Sequence, residues 1–252
     1  MKACFYLLLP LLLFTTACED DDDPVSTEAE ISVAFRGEFG DEDLAIQSAT
    51  YDYPTGEQLK VLLFQYYVSD LELLPADGGD PVQLSDIELV RWMSATEAAV
   101  STKTFTVPTG DYIGVRFGLG VKPELNAQDP NNFPANGTLN ENEFWNAAAR
   151  YVFAKIEANA DLEADGTFDT PLTYHMGNDA LFTTLTFDQN FSIDGSNDPR
   201  LTIVADVLAA LSDGTNTFNI SNPDQQRVHG GNQAIAIDIW NRLANQFVLE
   251  VR

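Results

Sequence analysis

From Ile31 onward, apolar residues recur at every second position, and that period limits what the chain can fold into more than any other feature. Ile31, Val33 and Phe35 alternate with Ser32, Ala34 and Arg36. Successive side chains of a strand point to opposite faces, so this spacing predicts a strand with one buried face. Residues 59–74 form a long β-branched and aromatic stretch with Val61, Phe64, Tyr66, Tyr67, Val68, Leu71 and Leu73, closed by the turn formers Pro75-Ala76-Asp77-Gly78-Gly79. Residues 86–92 return as its hairpin partner. Residues 102–107 and 112–121 flank the tight reversal Pro108-Thr109-Gly110-Asp111 and make a second hairpin. Further strands are expected at 151–156, 172–176, 181–187, 201–207 and 247–251. So many strands with so little helix between them exclude a parallel βαβ fold and predict a mainly β protein, an antiparallel β-sandwich.

Two segments break the pattern. Residues 122–140 carry Pro123, Pro130, Pro134 and Gly137, which cannot hold a ladder and predict a long ordered loop. Asn140 is placed to cap a short helix running to Ala149, with Glu141 and Glu143 in its first turn and Trp145 on it as a packing residue. Near the end, Ala234, Ile237, Trp240, Leu243 and Ala244 fall close to helical spacing and predict a terminal helix over 232–245. The expectation is therefore one or two short helices, one of them near the C-terminus.

The first residues follow a different grammar. Lys2 precedes the apolar run from Phe5 to Phe14, then Thr16-Ala17-Cys18 and the acidic run Glu19-Asp20-Asp21-Asp22-Asp23. A positive start, a short greasy middle and small residues before a cut are the marks of an export signal, and the run is too short to span a bilayer stably. The expected organisation is a signal peptide at 1–17, a cysteine and acidic flexible tether at 18–30, and one domain at 31–252. Cys4 leaves with the signal, so Cys18 has no partner for an internal disulfide and the exported domain must be held by its packed core. The charge balance of 39 acidic against 13 basic residues gives −26 at pH 7, a field that repels nucleic acid and attracts metal cations.

Two histidines are the candidate metal ligands: His175 in Tyr174-His175-Met176-Gly177, and His229 in Val228-His229-Gly230-Gly231. Imidazole suits copper, zinc and nickel, and two histidines brought together could form the core of a copper site. Taken singly, without other support, each reads first as a histidine that hydrogen-bonds the backbone. In a strand His175 would face away from Tyr174 and Met176, which sets Met176 aside as a co-ligand. Asp161, Glu163, Asp165 and Asp169 around Gly166 offer hard oxygen ligands at the alternate positions of a calcium loop. The twelfth position from Asp161 is Leu172 rather than glutamate, and a plain hairpin turn explains the same acids. The chain lacks a glycine-flanked serine elbow, H-E-x-x-H and a phosphate-binding glycine loop followed by lysine, which points to a binding protein rather than an enzyme.

Resemblances sharpen these expectations. Cys18 after small residues resembles the lipobox of bacterial lipoproteins, where the thiol is lipidated, and the acids after it resemble the surface-export tag of Bacteroidetes lipoproteins. Tyr66-Tyr67-Val68-Ser69-Asp70-Leu71-Glu72-Leu73, Phe105 to Tyr112, Val115 to Val121, Leu125-Asn126, Asp129-Pro130, Phe144-Trp145, Tyr151 to Glu157 and Tyr174-His175-Met176-Gly177 occur in an order that resembles the MbnP family. That resemblance implies an extracytoplasmic β-sandwich that binds copper, with His175 as the histidine of a His-x-Gly segment and His229 as the second ligand. The lipobox and export-tag resemblances imply a lipid anchor in the outer membrane, facing the cell surface or the periplasm, and the MbnP resemblance implies a dihaem redox partner that oxidises a tryptophan to kynurenine in some relatives. The tryptophan-x-histidine arrangement of some kynurenine-bearing relatives is absent here. Two rival readings stand beside copper: a surface module that binds glycan or protein through loop 122–140, and a glycosidase-like enzyme using paired carboxylates.

Overall fold

In a computed structural model, which describes residues 27–196, 199–228 and 233–252, the alternating segments become strands β1 (Glu28–Phe39), β2 (Glu42–Asp43), β3 (Tyr51–Asp52), β4 (Gln58–Pro75), β5 (Val82–Trp92), β6 (Val100–Pro108) and β7 (Gly110–Leu119). After helix α1 (Pro123–Asn126) and the long loop come β8 (Ala154–Asp161), β9 (Thr170–Met176), β10 (Thr183–Ile193) and β11 (Arg200–Asp206). Helix α2 (Val207–Leu211), strand β12 (Arg227–Val228), helix α3 (Gln233–Gln246) and strand β13 (Val248–Val251) complete the order. The export segment 1–17, Cys18 and His229 lie outside the described residues.

One sheet runs β13-β11-β1, and the other edge of β1 pairs with β6 along residues 28–36 and with the short β2 at Glu38 and Phe39. The sandwich is mixed rather than purely antiparallel, because β1 and β11 are parallel from Ser32↔Arg200 to Glu38↔Asp206. Alternation fixes which face of a strand is buried and carries nothing about its direction, so this pairing was not legible from the period. The strand also starts at Glu28 rather than Ile31, its first residues paired with the end of β6.

The second sheet is organised by β4, 18 residues long. Phe64 pairs with both Trp92 and Ile156, and Val68 with both Glu88 and Leu119. So β5 occupies one edge of β4, while β8 and then β7 share the other. At the parting, the Tyr67 amide donates to the Phe153 carbonyl and the Gly120 amide donates to the Tyr67 carbonyl, each at 2.9 Å. The buried Ser69 hydroxyl donates to the Gly120 carbonyl at 2.7 Å and accepts from the Lys122 amide at 3.1 Å. These bonds satisfy the backbone groups exposed where two strands diverge. Beyond β7 lies β10, and beyond β8 lie β9 and the parallel β12.

Between the sheets Ile31, Val33, Phe35, Leu201 and Ile203 form one core with Phe64, Tyr66, Trp92 and Phe117. Phe247, at the end of α3, closes it edge-on against Tyr66 and Phe117, at ring distances of 5.1 and 5.7 Å. Residues 64–69 are buried on both faces, because the loop between α1 and β8 lies over the outer side of the sheet. Tyr67 anchors that loop, its hydroxyl donating to the Thr138 carbonyl at 2.8 Å.

Three expectations need correction. The helix predicted from Asn140 to Ala149 is a single 3-10 turn, Glu141–Glu143. Asn140 does cap it, accepting from the Asn142 amide at 3.0 Å, but Phe144 is already extended and bridges Tyr151, whose ring it meets edge-on at 5.1 Å. The strand at 201–207 gives way to α2 because the Asp206 carboxylate accepts from the Leu208 amide at 2.8 Å and caps a helix there. In α3 the buried stripe is Ala236, Ile239, Trp240, Leu243 and Ala244, while Ala234 and Ile237 face solvent. No helix among the described residues is long and apolar enough to cross a membrane.

Candidate functional site

On the outer face of the second sheet, four polar side chains stand in one cross-strand row. Register pairs Arg91 of β5 with Gln65 of β4, Gln65 with Lys155 of β8, and Lys155 with His175 of β9. Their chain neighbours Ile156, Tyr174 and Met176 face the core and are fully buried. The predicted orientation of His175 holds, and Met176 is on the wrong side of the sheet to share a ligand with it.

The loop supplies the other half of the site. Its return forms a small antiparallel pair, with the Val152 amide donating to the Glu143 carbonyl and the Trp145 amide to the Arg150 carbonyl, both at 2.9 Å. Phe144, extended directly after the 3-10 turn, packs on Tyr151, while Glu143 before it and Trp145 after it both meet side chains of the row. Glu143, 5 % exposed, accepts from Lys155 Nζ and Gln65 Nε2, each at 2.7 Å, and from the Arg91 guanidinium. Arg91 Nε also donates to Gln65 Oε1 at 2.8 Å. Burial alone would push the Glu143 carboxyl up, but the bonds from Lys155 and Gln65 and the charges of Lys155 and Arg91 outweigh it and hold the group below the usual glutamate range.

Trp145 lies over the other end of the row, its ring centre 6.1 Å from that of His175 with the planes inclined at 34°. The expectation that Trp145 packs in the core is therefore wrong: it is half-buried and stands beside the candidate ligand. Trp92 and Trp240, each 1 % exposed, are the packing tryptophans. Alternation in Glu143-Phe144-Trp145 is the sequence signal that would have placed the indole on the same face as the buried acid.

His175 is held from below as well. Its Nε2 is 2.7 Å from Glu157 Oε1, a residue of β8 on the same face. A carboxylate only accepts, so in the neutral imidazole the proton sits on Nε2 and Nδ1 carries the lone pair that a metal requires. A carboxylate behind an imidazole is the arrangement that orients metal-binding histidines, so the donor chemistry fits a copper ion. His229 lies outside the described residues; Val228, the residue before it, is in register with Tyr174, the residue before His175.

The base of the loop is clamped. The fully buried Asn126 accepts from the Tyr151 amide at 3.0 Å and donates to Asp179 at 2.7 Å, and Arg150 reaches the other oxygen of Asp179 at 2.7 Å. Gly177 lets the returning segment 151–153 lie directly against the end of β9. The His-x-Gly pair thus has a division of labour: the histidine faces the site, and the glycine admits the loop that covers it.

The acidic turn after β8 is closed by its first acid. Asp161 is 3 % exposed and turns both oxygens onto backbone amides, those of Asp165 at 3.2 Å and Gly166 at 2.7 Å. Glu163, Asp165 and Asp169 are exposed, Asp165 accepting from the Thr167 amide at 2.8 Å, and no group of three or more His, Cys, Asp or Glu among the described residues converges as a metal site. A glycosidase would need facing acids with one carboxyl raised. Among the described residues burial raises Glu38, which lies on the other sheet in ion-pair contact with Arg36.

The family model for MbnP matches residues 28–229. The solved structure of MbnP from Methylosinus trichosporium superposes with a TM-score of 0.53 at 15 % identity, covering 90 % of this chain and 99 % of that one. At that identity the likeness establishes a shared fold. No curated protein matches the chain.

Proposed function

This chain belongs to the MbnP family, and we propose that it is an extracytoplasmic, lipid-anchored protein that captures copper through His175, with His229 as the second imidazole. The observation that carries this reading is the His175 imidazole itself, backed by Glu157 at 2.7 Å and covered by the Trp145 ring. Copper is the cargo here, and the chemistry is ligation rather than turnover. Glu157 orients the ring and fixes its tautomer, while Trp145 shields it from bulk water. The choice of His229 draws support from the register of β12 on β9, which pairs Val228 with Tyr174, the residues that precede the two histidines in the chain. The acidic charge of −26 favours accumulation of cations around the molecule. Export and anchoring at Cys18 rest on the N-terminal sequence pattern.

Copper binding measured on the wild type, His175→Ala and His229→Ala tests the assignment. Loss of binding is expected in both variants, and wild-type affinity in both would refute it. Recovery of the mature chain with a lipid on Cys18, by mass spectrometry, tests the anchor.

A second reading draws support from a cleft of about 410 Å3 beside the loop, lined by Asn126, Asn131, Phe144 and Arg150 among others. Amides, a guanidinium and an aromatic ring suit a hydroxylated ligand such as a glycan. Specific glycan binding by chelator-treated protein would favour this module over copper capture.

A further inference from the structure

We propose that Glu143 is the positioning residue of the site: it fixes Trp145 over His175 by pinning the loop to the cross-strand row. The assignment concerns the His175–Trp145 pair, and only its last readout rests on the copper reading.

The geometry carries the argument. Phe144 is extended, with φ −103° and ψ 114°, so the step from Glu143 to Trp145 covers about 6.6 Å. Glu143 sits over the gap between β4 and β8, bonded to Gln65 on one side and Lys155 on the other. At about 4.8 Å between neighbouring strands, the distance from that gap to β9 is about 7 Å. One extended two-residue step therefore runs across the strands and delivers the indole to His175, where the ring contact is found. Beside it Phe144 packs edge-on against Tyr151, and Asn146, Ala147 and Ala148 are exposed.

Charge explains why the pin has to be an acid. Lys155 is in register with His175, and neighbours so paired across strands stand about 5 Å apart. An uncompensated ammonium there, with Arg91 further along the row, would repel any cation bound at the imidazole. Glu143 pairs with both, cancelling one of the two positive charges, and at the same time takes the hydrogen bonds that hold the loop down. The acid that places the indole is thus also the group that makes the surface under it tolerant of a metal ion.

The test begins without metal. Proton NMR of the metal-free full domain reads the ring-current shift that Trp145 imposes on the imidazole C–H resonances of His175, with Trp145→Phe defining the reference without the indole. Glu143→Gln should move these resonances toward the Trp145→Phe position. Asp161→Asn, which weakens the turn at the far end of the same β8–β9 hairpin, should leave them at the wild-type position. Should Glu143→Gln fail to fold, Gln65→Met loosens the same anchor from the strand side and should give a smaller shift in the same direction. Wild-type resonances in whichever of these two variants folds would overturn the proposal. Copper affinity is the second readout, expected to fall about 10- to 100-fold in Glu143→Gln, the range for partners that orient a ligand. A wild-type protein that shows the shift and binds no copper would remove the copper reading and leave the positioning role standing.

Discussion

A β-carbon on Gly177 would stand 2.5 Å from the carbonyl oxygen of Tyr151, and 2.8 Å from the Phe153 amide nitrogen. Both contacts are to backbone rather than to a flexible side chain, and the Phe153 amide is held by its bond to the Met176 carbonyl at 2.7 Å, so neither yields cheaply. Gly177→Ala should cost about 1 to 3 kcal/mol, the usual scale of an overpacked contact. Urea unfolding measures it. Because segment 151–153 is the return of the covering loop, copper affinity should fall in the same variant.

The three tryptophans should separate into two classes. Trp240 is buried against Phe153 and donates its indole N–H to Thr183 at 3.0 Å. Trp240→Ala should therefore lose about 3 to 5 kcal/mol. Trp145→Phe should leave stability within about 1 kcal/mol, since the half-buried ring covers the site rather than filling the core. Thermal denaturation of the two variants side by side distinguishes them, and equal losses would return Trp145 to the packing class.

Glu143 makes stability sensitive to acid. Its folded-state carboxyl is depressed below the ordinary value of 4.5, so its contribution is fully present above that value and is lost as pH falls through the folded one. Near neutrality Glu143→Gln should be about 3 kcal/mol less stable, because it strands the charges of Lys155 and Arg91. Denaturant unfolding from about pH 7 down to about pH 3 should show that gap narrowing. A gap that stays constant would mean that the carboxylate is not what holds the row.

Asp161 should behave as a turn cap. With both oxygens on backbone amides, Asp161→Ala should cost about 1 to 2 kcal/mol, as loss of a cap does. Millimolar calcium should not raise the melting temperature of the wild type. A calcium-dependent rise would show that the turn rearranges around an ion.

Most of the architecture was legible because period two is a direct consequence of strand geometry. It located β1, β4 and β9, and it set His175 on the face opposite Tyr174 and Met176. The parallel direction of β11 was not legible, since a side-chain pattern encodes a face and not a direction. The site was half legible. His175 stood out by its rarity in a chain with two histidines, but the acids in the first turn after Asn140 favoured a helix, which hid the alternation that puts Glu143 and Trp145 on one face. Arg91 and Gln65 were invisible for a simpler reason: their meeting with Lys155 and Glu143 depends on strand registers that only the assembled sheet determines.

The sharing of β4 by β7 and β8 has a mechanical result. Take residues 58–75 away and both wings of the sheet lose their common neighbour at once. No half of the molecule is self-sufficient, so shortening, splitting or permuting the chain through this strand should yield aggregates, whereas cuts at exposed hairpin tips should leave a protein that still folds.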